Sequence, residues 1–524
     1  MKIKEGVFIM KNNTELRDEN ESYWRKSTDL PTFPKLENNL KVDVAIVGGG
    51  ITGITAAYLL SKKQLNVALI ETDVILNGTT GYTTAKITAQ HDLIYDELIQ
   101  HFDKDHARLY YDAQTEAKKL IETHINDLHI NCDFKKETAY VYTNSEKELI
   151  KLEKEKEAYD QLKIPNKFID KLPLDLRIKA ALTMEDQANF HPLKYLQVLV
   201  KECEKNGVAI FEQTTAIDVE YNKRPAIITK EGNRIICGHV IIASHYPFYD
   251  GQGFYPTRMY AERSYAIGVK TNKSYPGGMY INVESPVRSI RSTPYNGKEL
   301  WLIVGENHKT GQGKETTGHY KALEQFATKY FGPVEIKYRW SAQDLTTLDK
   351  VPYIGPITKT QKNVLVATGY RKWGMTNGTI AAKILADYVL EKENRYIELF
   401  TPSRFKFNPT VKNFAKTNLD VAKHLIKGKM EPTTDFETID SLKVNEATIS
   451  RIDGKRVGVY RDENNKFHIV DTTCTHLGCN VEWNSGERTW DCPCHGSRFS
   501  YTGEVIEGPA KKPLEQINMP KKEN

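Results

Sequence analysis

K-V-D-V-A-I-V-G-G-G-I-T-G-I-T-A-A-Y-L-L, residues Lys41 to Leu60, decides the fold of most of this chain. Val42–Val47 is a short β-branched run, the pattern of a buried parallel strand. Gly48, Gly50 and Gly53 follow in G-x-G-x-x-G order, and Ala56, Ala57, Leu59 and Leu60 continue as a helix. A second apolar run, Val67–Ile70, ends at Glu71, eighteen residues past Gly53. Strand, glycine turn, helix, second strand and terminal acid in this register predict a dinucleotide-binding unit. Gly48 allows the tight turn, Gly50 lets a pyrophosphate approach the backbone, and Gly53 lets helix and strand pack closely. The helix N-terminus turns free N–H groups and its positive dipole end toward the phosphates. Glu71 is placed to accept hydrogen bonds from the adenosine ribose hydroxyls.

The motif alone does not separate NAD from FAD. Val351–Gly355 leads into N-V-L-V-A-T-G-Y-R-K-W-G-M-T-N-G, Asn363–Gly378, and then a helix over Thr379–Leu390. This resembles the closing segment of the D-amino-acid oxidase (DAO) superfamily of flavoproteins, and the resemblance runs roughly from Ser22 to Glu391. It implies FAD, with Gly369, Gly374, Met375 and Thr376 lining the flavin ring. A helix N-terminus pointing at that ring would favour negative charge on it when reduced. Asn77–Lys86, N-G-T-T-G-Y-T-T-A-K, lies where that family's second flavin-contacting loop falls. Thr79, Thr80, Gly81, Thr83 and Thr84 can supply donors there. The absence of a second G-x-G-x-x-G argues against a separate NAD(P)H site. In amino-acid-oxidising relatives an arginine on the sheet over the flavin clamps the substrate carboxylate, and Arg291, or Arg288, stands at about that position. His91 follows the loop. Covalent attachment of FAD there is disfavoured against ordinary packing, because the local context differs from that of relatives that use a histidine.

Around these segments the sequence reads more plainly. Residues 1–40 form a polar arm, with Tyr23 and Trp24 expected to anchor it to the surface of the next domain. Glu146–Asp160 is a charged amphipathic helix whose charges read as a solvated face. Phe248–Arg291 and Glu299–Gly305 alternate apolar and polar residues, as an antiparallel sheet over the flavin would. Prolines bracket Val411–Lys429, an amphipathic stretch with Phe414, Leu419, Val421, Leu425 and Ile426 on one side. It reads as an interdomain helix, with a helix lying on a membrane surface as the lesser alternative.

The end of the chain carries different chemistry. C-T-H-L-G-C at Cys474–Cys479 and C-P-C-H-G-S at Cys492–Ser497 are two boxes that together offer two thiolates and two imidazoles. A zinc site can use the same donors. The spacing, the spare cysteine in each box and the final Gly-Ser resemble the Rieske family of the cytochrome bc1/b6f type. That resemblance implies a [2Fe–2S] cluster with Cys474 and Cys492 on one iron and His476 and His495 on the other. It further implies a Cys479–Cys494 disulfide between the boxes, and Gly508-Pro509 resembles the third loop that covers such a cluster. In quinol-oxidising members a tyrosine stands two residues after the box serine, and here that place belongs to Phe499. Cys132, Cys203 and Cys237 read as reduced core thiols.

The expected architecture is an α/β (α+β) FAD-binding Rossmann-like domain with an antiparallel-sheet substrate domain, over residues 41–400. A linker helix over 401–432 and an all-β Rieske domain over 433–524 follow. The 524 residues carry a net charge of +5, with no dense basic patch to suggest nucleic acid. No apolar run approaches the ~18 residues of a membrane span, and a cytoplasmic location is expected. The functional expectation is oxidation of a C–N bond of a small amine or amino acid, with electrons passing from flavin to cluster to an external acceptor. Its rivals are an oxidase that uses oxygen, with the cluster as a redox sensor, and a docked electron carrier with no substrate. A Rieske oxygenase would need a two-His-one-carboxylate iron site, and none is placed after the cluster domain.

Overall fold

The computed structural model describes residues 20–313, 316–404, 415, 417–425 and 436–518. Val44–Val47, buried at every position, lies between His239–Ile242 and Val67–Ile70 and runs parallel to both. Val364–Thr368 and Ala209–Phe211 extend the sheet on either side, also parallel, and Tyr353–Pro356 closes one edge antiparallel. Burial on both faces explains why these strands are continuous apolar runs with no alternation. The helix Ile51–Ser61 follows the glycine turn and is buried on nearly every side. It packs against the helices Gly374–Val389 and Pro192–Lys205.

The second layer is a nine-stranded sheet built around Met259–Thr271, Lys298–Lys309 and Val334–Thr347. Met259–Thr271 pairs antiparallel with both of the others, as the alternating pattern predicts.

Three local expectations need correction. Tyr23 and Trp24, in a short helix Tyr23–Lys26, are core residues and not surface anchors. Trp24 Nε1 donates to the Thr83 carbonyl at 2.7 Å, and the Tyr23 hydroxyl donates to the Pro294 carbonyl at 2.8 Å. Tyr23 and Trp24 therefore brace the back of the Thr79–Thr84 loop, while residues 1–19 of the arm lie outside the described residues. The helix Glu146–Gln161 is not charged on a solvated face alone, because Glu155 is buried. Its carboxylate accepts from the amides of Ile94, Tyr95 and Asp96, each at 2.9 Å, and so satisfies the start of the helix Tyr95–His101. The linker, third, is helical over 417–425, with Val421 and Leu425 on the C-terminal core but Leu419 61% exposed. Phe414, Ile426 and the rest of that stretch apart from Ala415 lie outside the described residues. Asp420 binds Lys309 at 2.6 Å and Gln312 at 3.1 Å, which fastens this helix to the large sheet.

The C-terminal region is all β. Ala447–Ile452, Lys455–Arg461 and Phe467–Asp471 form one antiparallel sheet. Glu482–Asn484, Thr489–Asp491, Arg498–Ser500 and Val505–Glu507 form another. Trp490 and Phe499, both fully buried, pair across the second sheet and sit in one core with the box cysteines. Among the described residues no helix is long and apolar enough to cross a membrane.

Candidate functional site

Gly48 has φ +111°, and a Cβ there would stand 2.5 Å from the Ala243 carbonyl oxygen. A Cβ on Gly53 would collide with the Gly48 carbonyl oxygen, which is the close helix–strand approach the motif requires. Gly50 is the N-cap of the helix Ile51–Ser61 and offers no side chain to it. The Ile51 amide donates to Thr80 Oγ1 at 3.1 Å, which joins the glycine turn to the second loop. Glu71 accepts from the amides of Gly49, at 2.8 Å, and Asp73, at 3.1 Å. Burial pushes its carboxyl up, and the amide bonds pull the other way. Glu71 thus also holds the turn whose ribose partner it was expected to be.

A cavity of about 650 Å³ runs from this turn into the large sheet. Gly48, Gly50 and Glu71 line one end, Thr79, Thr80 and Thr84 one wall, and Gly369, Gly374 and Met375 another. The cavity is of cofactor size, and Gly50 and Gly374 set two helix N-termini on it. These features fit FAD.

Some expected contacts stand behind the wall. Gly81 is turned toward the arm, its carbonyl accepting from Ser22 Oγ at 2.5 Å. Thr376 Oγ1 donates to the Thr88 carbonyl at 3.2 Å and meets His91 Nε2 at 3.1 Å. His91 is buried, with Nδ1 2.7 Å from the Tyr110 hydroxyl and the ring stacked on Trp373. Both ring nitrogens are engaged, as ordinary packing implies. The arginines also need correction. Arg291 is fully buried outside the cavity lining, donates to the Ala85 carbonyl at 2.8 Å and lies over the Trp24 ring. Arg288 is paired with Glu306 at 2.5 Å. Neither guanidinium reaches the cavity wall, because the sheet turns both toward neighbouring elements.

Sequence reasoning missed two parts of the lining. One is Lys86, a lone lysine in the apolar run Ala85-Lys86-Ile87, which was the available signal. The other is Glu504–Lys511, a stretch of the C-terminal region that closes the cavity from outside the flavoprotein. No local pattern could have announced it.

The two Cys/His boxes come together as one centre. Cys474 and Cys492 are buried free thiols, and Cys492 donates to Cys474, pulling the latter below its ordinary value. The rings of His476 and His495 stand 5.0 Å apart at right angles. Each has a buried Nδ1 without a hydrogen-bond partner. Burial lowers both imidazoles to about 4, so they are neutral and able to ligate metal. Two sulfurs and two orphaned nitrogens fit a Rieske cluster. Cys479 and Cys494 form a disulfide with Cα atoms 6.5 Å apart. Both lie close to Cys492, within 4.8 Å at sulfur, but the bond removes them as ligands. Backbone bonds close each box: Cys474 N to Cys479 O at 2.7 Å, and Cys492 N to Ser497 O at 2.8 Å.

A family model described as FAD dependent oxidoreductase (DAO) matches residues 43–388. The chain belongs to this family. A second model, the Rieske [2Fe-2S] domain, matches residues 435–518. The DAO flavoprotein here therefore binds FAD, and the donor set is that of a [2Fe–2S] centre and not of zinc. A Rieske 2Fe-2S iron-sulfur protein of Bacillus subtilis strain 168, YhfW, is 49% identical over 97% of this chain and 100% of its own length. A gamma-glutamylputrescine oxidoreductase of Escherichia coli K12 is 22% identical over 72% of this chain and 90% of its own. Glycine oxidase from Geobacillus kaustophilus superposes with a TM-score of 0.60 at 18% identity, over 70% of this chain and all of its own, which is a likeness of fold.

Proposed function

We propose that this flavoprotein oxidises a C–N bond of a small amine or amino acid and passes the electrons through its own cluster to an external acceptor. One observation carries the electron path. Ala510 lines the FAD-sized cavity, and its amide donates to Ser497 Oγ at 3.0 Å, at the end of the second Cys/His box. A single residue thus touches the surroundings of both cofactors. The substrate class is supported by the relatives' names, an oxidoreductase of gamma-glutamylputrescine and an oxidase of glycine.

When bound, FAD supplies acceptance of two electrons as a hydride equivalent and the cluster supplies one-electron transfer. The chain's own residues do the rest. Gly48–Gly53 and the helix they start bind the phosphates, and Thr79, Thr80 and Thr84 hold the second side. The N-terminus of Gly374–Val389 faces the cavity and favours negative charge there. Contacts across the junction hold the cluster domain in place. Tyr320 donates to Glu487 at 2.7 Å, Arg263 meets the same carboxylate at 3.3 Å, and Lys511 Nζ donates to the Ile217 carbonyl at 2.7 Å.

Anaerobic stopped-flow with a panel of small amines and amino acids tests the proposal. Flavin bleaching followed by cluster bleaching is the expected sequence. Flavin reduced with the cluster left oxidised, and reoxidised by oxygen alone, would support the oxidase rival. A flavin that no amine reduces would support the docked carrier.

A further inference from the structure

The far end of the cavity holds a buried lysine that nothing above employs. Lys86 opens the short strand Lys86–Ile87, fixed by pairing with Asn189 and Ala188 of the neighbouring strand. The residue is 8% exposed and lines the cavity. Its Nζ donates to the Tyr280 carbonyl at 3.2 Å and to Ser289 Oγ at 2.6 Å, both neutral oxygens. Ser289 sits in the large sheet between Ile281 and Val304, which also line the cavity. The amino group therefore stands over an apolar patch with two hydrogen bonds already fixed.

The arithmetic of donors limits what Nζ can do. A neutral amine has two N–H groups and one lone pair, whereas an ammonium has three N–H groups and no lone pair. Two oxygens accept two N–H groups, which leaves one position for the cavity that Lys86 lines. Holding that position as a third N–H would keep a cation in an apolar wall with only neutral partners, which is costly. Burial, reinforced by Arg291 and opposed by Asp92, pushes this lysine down to about 7. Glu262, Asp344 and Lys372 line the cavity too, without a direct bond to Nζ.

We propose that Lys86 is the proton acceptor of the cavity, its lone pair taking a proton from the ammonium group of an amine or amino-acid substrate. The proposal rests on the C–N oxidation reading. One N–H bond of the substrate ammonium breaks, one N–H bond forms on Nζ, and a neutral amine remains. No electrons change hands in this step. It matters because an ammonium nitrogen has no lone pair to drive C=N formation as the neighbouring C–H bond gives up its hydride. Tyr280 and Ser289 aim the acceptor, and they keep two of its protons occupied while the third site works.

Trace acetylation of the holoprotein with acetic anhydride across pH 5–11, read by peptide mass spectrometry, measures the reactivity of Lys86 without turnover. Lys86 is expected to become reactive with a midpoint near 7, well below the ~10.4 of an unperturbed lysine side chain. Titration together with the exposed lysines overturns the proposal. So does resistance to the label at every pH, since the amino group would then not open to the cavity. The Lys86→Met variant supplies the second arm, with FAD content as its folding control. Using an amine that bleaches the flavin of the unaltered protein, kcat/KM should fall by roughly 10²–10⁴-fold. The rise of the pH profile near 7 should vanish as well. A variant that keeps that rise overturns the assignment. A panel with no active amine defeats the C–N reading itself, and the labelling midpoint still decides whether Lys86 is a free base at neutral pH.

Discussion

Gln343 Nε2 donates to the Gly496 carbonyl at 2.9 Å, which ties a long strand of the flavoprotein to the residue after His495 in the second Cys/His box. The same glutamine accepts from Thr310 Oγ1 at 2.7 Å, and its backbone carbonyl accepts from Thr79 Oγ1 at 3.3 Å, on the flavin loop. One residue therefore spans from flavin loop to cluster box. Gln343→Ala should slow cluster reduction several-fold with iron and FAD contents unchanged, because a hydrogen bond of ~1 kcal/mol that fixes the docking is lost. Stopped-flow at the cluster band measures it; an unchanged rate would mean this contact does not govern the transfer.

Glu487 is the electrostatic counterpart of that contact. It is nearly buried, and it pairs Arg263 of the large sheet as well as accepting from Tyr320. Glu487→Ala leaves the Arg263 guanidinium buried with Ser341 as its remaining side-chain hydrogen-bond partner among the described residues. Breaking such a pair costs about 3–5 kcal/mol. Calorimetry should show a clear fall in the melting temperature, and a loss below ~1 kcal/mol would show that water reaches the junction.

At the dinucleotide end, Gly50→Val should abolish FAD binding, since a side chain at the N-cap fills the space beside Thr80 that the pyrophosphate needs. Glu71→Ala should weaken binding by ~1–3 kcal/mol, because the Gly49 amide of the turn and the Asp73 amide lose their acceptor. Flavin content after gel filtration and a fluorescence titration check both. Full FAD content in the glycine variant would remove the reading of Gly48–Gly53.

Cys474→Ala or His495→Ala should remove iron while FAD stays bound. The ligands come from the C-terminal region, and most of the FAD lining comes from the flavoprotein. Iron and flavin assays on the same preparation decide. FAD lost together with iron would mean that Glu504–Lys511 is needed to hold the flavin.

Phe499 stands where quinol-oxidising relatives place a tyrosine, and it is fully buried beside Trp490. Hydrogen bonds to a ligand sulfur favour the more negative, reduced cluster. A hydroxyl gained by Phe499→Tyr, worth ~1–2 kcal/mol to that state, should raise the midpoint potential by roughly 40–90 mV. An EPR-monitored redox titration measures the shift. No rise, with the cluster intact, would show that the ring does not reach the sulfur.

Local pattern was enough to specify the two cofactor frameworks. The glycine turn, its flanking strands and Glu71 are contiguous, and their geometry follows from backbone sterics within about thirty residues. The Cys/His boxes are equally local, so the resemblance that implies the ligand set and the disulfide could be found from their residues alone. Tertiary structure decided what depends on facing elements. Arg291 looked like a clamp because sheet position was legible but the direction of its guanidinium was not; Ala85 and Trp24 fixed that direction. Glu155 looked solvated because its three amide partners lie some sixty residues earlier in the chain. Lys86 drew no reading of its own from the sequence, because its burial depends on a strand pairing with Asn189 that no local pattern shows. The placement of Ala510 between cavity and cluster box depends on the C-terminal sheets packing against the flavoprotein, and that contact is encoded in complementary surfaces, which have no period or spacing to read.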